Sequence, residues 1–352
     1  MRLPLIQAVR KTVSAAFATE PERIEPLAGG ANNRVFKVRL GRQAVLAKVY
    51  FRHPGDRRDR LSAEFGMLAF LWQNGLRCIP EPLFADRQRH IGLYQFVEGR
   101  RPRPEEIAWS DVSELIFLLK EMWRLRRRPD AAALPRGSDS SFSMAGFLAN
   151  VEGRFRCVAR ALKTGRVSPE ARQFVAGEVA ARMKAVRQFI ERGARNCALD
   201  LERPLPPAQR TLNPADHGFH NALRGSSGRL TFLDFEYAGW DDPAQMICNA
   251  CLQPEVPIPA AMQPRFVKTI AGALGNPAGL AARLKLLYPL FGLKWSLIML
   301  NEFLPVSRER RRFALKRPDD SGRRKEQLRK SQRQAVAVAS YLAAPVFFDC
   351  LD

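Results

Sequence analysis

The chain has 352 residues, 46% of them apolar and 26% charged, the composition of a soluble globular protein with a sizeable core. Its 57 Lys and Arg outweigh 35 Asp and Glu, a formal net charge of +22, which argues against a polycationic ligand and draws nucleotide phosphates, acidic glycans, nucleic acid or an anionic membrane surface. The six cysteines are scattered and no continuous apolar leader is seen, so a reducing cytoplasm is the expected compartment.

Taken in chain order, Leu5, Ile6, Val9, Val13 and Phe17 fall on one face of an N-terminal amphipathic helix. Leu27 to Asn33 is a small, polar, glycine-rich turn. Phe36, Val38 and Leu40 then alternate with polar neighbours, Gly41-Arg42-Gln43 turns the chain, and Ala44 to Tyr50 reads as a second strand. Between Asp59 and Asn74 the period changes, and Leu61, Phe65, Leu68, Leu71 and Trp72 form a helical stripe. Short strands follow near Pro82 to Ala85 and Ile91 to Val97. Residues 1–98 therefore read as a small α+β unit, and 99–352 as a larger, mainly helical one.

Beyond Gly99, Ser110 to Arg128 is a helix, Pro129 to Ser143 a Pro, Gly and Ser linker, and Ser168-Pro-Glu the opening of a helix running to about Arg192. Cys248-Asn-Ala-Cys251 has metal-like spacing but no second ligand pair, and reads as two buried thiols. Leu284 to Leu304 is strongly apolar, yet Lys285, Pro289, Gly292 and Lys294 break it, so it reads as a buried helix pair and not a membrane span. Arg308 to Arg333 holds twelve Lys or Arg against four Asp or Glu, densest at Arg310, Arg311 and Arg312. One β-rich island interrupts this half: a loop at Asn213 to Asn221, a strand at Ala222 to Arg224, a turn at Gly225 to Gly228 and a strand at Leu230 to Leu233.

The chemistry-bearing residues sit in that island. Asp216 and Asn221 are five apart in one loop, and Asp234 ends the next strand, in Leu233-Asp234-Phe235-Glu236. Phosphoryl transfer from Mg-ATP needs oxygen ligands for the metal and a carboxylate to orient and deprotonate the attacking hydroxyl. His217 and His220 lie in the same loop; without a third placed ligand they read as packing or hydrogen-bonding residues.

These motifs, with Gly239-Trp-Asp-Asp242-Pro243 after them, resemble the aminoglycoside phosphotransferase and choline kinase group, relatives of protein kinases. The resemblance covers about residues 25 to 304. It implies a two-lobed protein-kinase-like fold with ATP and Mg2+ as cofactors. It implies Asp216 as catalytic base and Asn221 and Asp234 as metal ligands. Gly29, Gly30, Asn32 and Asn33 would form the phosphate-covering turn, Lys48 would hold the phosphates and Glu64 would pair with Lys48. Gln95 to Val97 would take the adenine by backbone hydrogen bonds. Glu236 and Asp242 read as structural supports. The chain departs from the group's pattern in two places. Pro214 stands where most relatives have a histidine that braces the loop, and Met246 where relatives often carry an aspartate.

The expected function is a Mg-ATP-dependent kinase for an alcohol. The +22 charge points away from polycationic aminoglycosides and choline, towards a neutral or anionic sugar or glycoconjugate of lipopolysaccharide or capsule type. A peripheral contact with an anionic membrane or glycolipid is a further partner the charge admits. The alternative is a non-catalytic nucleotide-binding pseudokinase with a regulatory or scaffolding role. Specific nucleic-acid binding is not expected, because no zinc motif, helix-turn-helix or stacking-aromatic pattern is present.

Overall fold

The computed structural model describes residues 3–27, 32–56, 58–164, 168–314, 321–345 and 348. Helix α1 (Leu3–Phe17) leads into β1 (Arg23–Pro26), β2 (Arg34–Leu40), β3 (Gln43–Val49), helix α2 (Arg60–Gln73), β4 (Pro82–Asp86) and β5 (Ile91–Gln95). All five strands pair antiparallel in the order β1-β2-β3-β5-β4. Period-2 alternation sends Phe36, Val38, Val45, Ala47, Val49, Ile91 and Leu93 to one face, where Val9 and Val13 of α1 cover them. The other face receives α2, whose first turn Asp59 caps by accepting from the Ser62 amide at 3.0 Å.

The helical lobe contains α3 (Trp109–Leu125), α4 (Met144–Thr164), α5 (Pro169–Phe174), α6 (Ala180–Asn196), α7 (Pro243–Leu252), α8 (Gln263–Ala273), α9 (Leu280–Met299), α10 (Pro305–Ala314) and α11 (Ser321–Ala343). Helix α9 is the axle of this lobe, buried along nearly its whole length and packed by α4, α6, α7 and α11. The apolar run at Leu284 to Leu304 is thus most of one helix and its closing 3-10 turn, not a helix pair, with Pro289 inside it. No helix among the described residues is long and apolar enough to cross a membrane. The helix opening at Ser168 is interrupted by a π-helical turn at Val175–Val179 between α5 and α6.

Four short strands form the island. β6 (Thr211–Asn213) pairs with β9 (Gly239–Asp241), and β7 (Ala222–Arg224) with β8 (Leu230–Phe232). The basic stretch near residue 310 is not a free tail. Helix α10 reaches back to the small lobe: Phe313 packs on Phe51 with ring centroids 5.5 Å apart, and Arg34 lies over the Phe313 ring and donates to its carbonyl. His53 stands 3.2 Å from Glu309, while Arg311 in the last turn of α10 and Arg323 of α11 both pair with Glu302, at 2.6 and 3.2 Å.

Gly239 sits where the 135–137 segment crosses β9. A Cβ there would lie 2.4 Å from the Gly137 nitrogen and the Pro135 oxygen, both backbone atoms that cannot swing aside. Gly239→Ala is expected to destabilise the fold by about 1–3 kcal/mol through this overpacking. Gly272→Ala, on an exposed turn of α8 with nothing within 4 Å, is expected to be neutral or stabilising. Thermal denaturation of the two variants checks the contrast; equal melting temperatures would contradict it.

Candidate active site

The alternation that buries Ala47 and Val49 under α1 turns Lys48 and Tyr50 towards α2. Lys48 Nζ lies 2.6 Å from Glu64 Oε2 and 2.6 Å from Asp234 Oδ1, so one ammonium joins sheet, helix and large lobe. Tyr50 donates to Glu64 Oε2 at 2.6 Å and shares a 2.7 Å hydrogen bond with the Tyr94 hydroxyl. Gly92, opposite Lys48 in the ladder, leaves room for that phenol, since a Cβ would sit 2.5 Å from the Tyr94 oxygen. Burial pushes Glu64 up to about 7 against the opposing pull of Lys48, and burial likewise raises Asp234. Burial works against the Lys48 charge too, but the fields of Asp234 and Glu64 outweigh it and hold the ammonium well above the usual lysine range.

The catalytic loop is braced by neutral amides. Asn213 donates to Asp241 Oδ2 at 2.7 Å and accepts from the Ala215 amide at 2.9 Å, while Asn249 donates to the Ala215 carbonyl at 3.3 Å. Ala215 (φ 72°) and Asp234 (φ 66°) both occupy the left-handed region, a strained backbone that such anchors must hold. His217 is buried with Nε2 3.0 Å from the Met246 carbonyl, and burial drops it to about 4, so it is neutral packing. These contacts stand in for the brace lost at Pro214, and they give Met246 a backbone role.

Asp216 and Asn221 are tied together, the Asn221 amide donating to the Asp216 carbonyl at 2.9 Å. His220 Nε2 lies 3.4 Å from Asp216 Oδ1, within ion-pair reach but without hydrogen-bond alignment, and that buried oxygen has no donor. Gln253 Nε2 stands 2.9 Å from His220 Nδ1 and orients the ring. Burial lowers the His220 pKa, but the Asp216 carboxylate outweighs it and raises it overall. Asp216 is in turn held below the usual carboxylate range, burial being offset mainly by the His220 charge.

Asn221 Oδ1 and Asp234 Oδ2 take part in no hydrogen bond among the described residues. Among the described residues no group of three His, Cys, Asp or Glu side chains forms a ready metal cage. One carboxylate and one amide oxygen are nonetheless a donor set that fits Mg2+, which completes its shell with phosphates and water. The adenine hinge is only partly as expected. Gln95 is spent within the sheet, its amide donating to the Glu81 carbonyl at 2.8 Å and its Oε1 accepting from the Glu81 amide at 3.3 Å. Among the described residues the Val97 N–H, just beyond β5, makes no hydrogen bond.

Gly29 and Gly30 lie outside the described residues. Asn32 and Asn33 do not present their side chains to phosphates. Their amides donate to the two oxygens of Glu236 at 2.8 and 2.5 Å, which crosses the cleft and fastens the turn to the segment after Asp234. The Glu236 support is therefore real, and its partners are the turn itself. Asp242 caps α7, accepting from the Ala244 amide at 2.8 Å, and pairs with Arg283.

A family model described as the phosphotransferase enzyme family matches residues 23–286. The chain belongs to that family. Its kinase-like fold is also that of choline kinase LicA from Streptococcus pneumoniae, at 14% identity, 95% and 99% coverage of this chain and that one, and a TM-score of 0.59. A choline/ethanolamine kinase family protein from Mesorhizobium loti matches at 17% identity over 97% and 98%, with a TM-score of 0.56. A spectinomycin phosphotransferase, solved with ADP and spectinomycin, matches at 11% identity over 95% and 98%, with a TM-score of 0.59. A comparison with curated protein sequences finds no match.

In this phosphotransferase two carboxylates near Tyr237 are already matched by arginines. Asp56 takes Arg58 at 2.8 Å and Arg60 at 2.5 Å, both guanidinium groups lying over the Tyr237 ring. Asp139 takes Arg154 at 3.0 Å, in a segment held against the Tyr237 carbonyl by the Ser138 amide at 3.2 Å. Arg310 of α10 also acts on the Tyr237 phenol, whose pKa burial raises to about 12. The family resemblance had implied the pairing of Lys48 with Glu64, which the two side chains make. Patterning missed Tyr50, Tyr94 and Gln253, whose polar tips were the available signal.

Lys48→Met leaves two buried carboxylates without their cation and is expected to cost about 3–5 kcal/mol, towards the lower end because Asp234 is 34% exposed. Lys48→Met with Glu64→Gln should recover much of the loss. The deficit should shrink as pH falls and the raised carboxylates take up protons. Urea titrations at pH 5 and 8 measure both effects, and a pH-independent deficit would count against the account.

His220 yields a second expectation. Its folded pKa lies above the ordinary 6.5, so its contribution is fully present below that value and is lost as pH rises through the folded pKa. His220→Gln should flatten that part of the stability profile. Melting temperatures from pH 6 to 9 read it, and parallel wild-type and variant curves would contradict it.

Proposed function

We propose that this phosphotransferase moves the γ-phosphate of Mg-ATP to a hydroxyl of a neutral or anionic sugar or glycoconjugate, of lipopolysaccharide or capsule type, in the cytoplasm. The observation that carries the reaction is the Asp216 carboxylate. It stays ionised beside His220, with a buried oxygen that lacks a donor, as a base awaiting the proton of an acceptor hydroxyl requires. Asn221 and Asp234 would hold Mg2+, which when bound neutralises phosphate charge. Lys48 holds phosphate oxygens, its place fixed by Glu64. Val97 offers a backbone donor for the adenine. ADP in the spectinomycin phosphotransferase complex supports ATP as the donor.

The acceptor class follows from charge pairing. Ammonium-bearing acceptors need unpaired carboxylates, whereas Asp56 and Asp139 are already held by arginines. One observation favours the second reading, a nucleotide-binding pseudokinase. Asn32 and Asn33 both bind Glu236, holding down the turn that a phosphate-covering loop must lift to admit nucleotide.

Asp216→Asn is expected to cut turnover by about 100- to 10,000-fold while leaving nucleotide affinity unchanged. Asp234→Asn should lose Mg-dependent nucleotide binding as well. Calorimetry with and without Mg2+, beside transfer from labelled ATP across cationic, neutral and anionic acceptor pools, tests both. Transfer to cationic acceptors alone would overturn the acceptor class, and nucleotide binding without transfer to any pool would favour the pseudokinase.

A further inference from the structure

Between the 138–140 segment and helices α4, α7 and α9 lies a polar cavity of about 190 Å3, whose lining includes Ser138, Asp139, Asn150, Arg154, Gln245 and Lys294. It exceeds the roughly 150 Å3 that suffices for a benzene ring, so it has room for one small substituent or a single sugar ring. Lys294 enters it from α9. The residue is only 5% exposed, and its ammonium donates to Asn249 Oδ1 at 3.0 Å and Gln245 Oε1 at 3.4 Å. Both acceptors are neutral, and among the described residues no carboxylate lies within 4.0 Å of Nζ. Burial draws the Lys294 pKa below the ordinary lysine value, the more distant Asp139 and Asp241 only partly offsetting it.

A buried ammonium without a counter-ion is costly, and a merely structural lysine here would be replaced at little cost by an apolar residue. Among the described residues Lys294 makes these two hydrogen bonds and otherwise lies over the Phe291 ring, 4.9 Å from its centroid. Arg154, which also lines the cavity, donates to Asp139 through one nitrogen at 3.0 Å among the described residues. The cavity is linked to the Asp216 loop through Lys294. Asn249, the acceptor for Lys294, donates in turn to the carbonyl of Ala215, the residue before Asp216. Lys294 is thus two hydrogen bonds from that loop.

We propose that this cavity is the anchoring subsite of the acceptor, and that Lys294 and Arg154 bind a compact oxyanion on it, a phosphate ester or a carboxylate, while its hydroxyl faces Asp216. The proposal rests on the phosphotransferase reading above and narrows its acceptor to an anionic one. The bound anion supplies the missing counter-charge of Lys294 and the second half of the Arg154 fork.

Inorganic phosphate and acetate serve as probes for the two oxyanion sources, with the nucleotide site first filled by a non-hydrolysable ATP analogue and Mg2+. Calorimetry and thermal shift should show saturable binding of at least one probe to the wild-type protein. Lys294→Met should weaken it by about tenfold or more, the loss of one charge-assisted interaction, without changing affinity for the ATP analogue. Should Lys294→Met fail to fold, Arg154→Gln with Asp139→Asn, at the more exposed rim, carries the same expectation. A preference for phosphate over acetate assigns the phosphate ester, and the reverse assigns the carboxylate. The subsite is overturned if neither probe binds the analogue-loaded wild type, or if the variants bind as it does. Failure of the analogue itself to bind would instead defeat the phosphotransferase reading.

Discussion

Everything in the site hangs on a single ammonium group. Lys48 is the shared counter-ion of two buried carboxylates that belong to different parts of the chain, Glu64 of α2 and Asp234 after β8. Two such carboxylates alone would repel each other and pay for their own desolvation. With Lys48 between them, the sheet, the helix and the large lobe acquire one registration. Tyr50 and Tyr94 close the remaining valences on the small-lobe side. The positions of the cation proposed to hold phosphate and of the carboxylate proposed to bind the metal are therefore set by the same pair of contacts.

Below this link, the loop from Asn213 to Asn221 is carried by a buried amide network instead of by ion pairs. Asn213, Gln245 and Asn249 connect it to Asp241, α7 and α9, and the burial that pushes Asp241 up to about 7 is tolerated because these amides donate to it or to its neighbours. Such a scaffold holds Asp216 without supplying a formal charge that would neutralise it. His220 contributes the main opposing charge, from a distance at which it holds the carboxylate down while one buried oxygen has no donor among the described residues.

Much of this was legible in the sequence, for reasons that can be named. Lys48 stood out because period-2 alternation set a lysine in a strand whose neighbours are apolar. Asp216, Asn221 and Asp234 stood out because their residue types suit phosphoryl transfer and their spacing resembles that of the kinase-like family. The destinations of Asn32 and Asn33 were not legible, since nothing local to a small polar turn indicates a carboxylate some two hundred residues away. β1 and the paired β6 and β9 are too short, at four and three residues, to show a period. Lys294 was visible only as an interruption of an apolar run, which argued against a membrane span and concealed a buried cation. In the basic stretch, charge density masked Phe313, the residue that docks α10 on the small lobe.

That docking changes the kind of motion the cleft can make. The chain passes from one lobe to the other near Val97, and α10 returns across the gap to grip Phe51 and Arg34. A plate fastened at one corner swivels in any direction, but a plate fastened at two swings only about the line that joins them. With Phe313 on Phe51 as well as Asn32 and Asn33 on Glu236, the small lobe is held at several points, which narrows the directions in which Lys48 can part from Asp234.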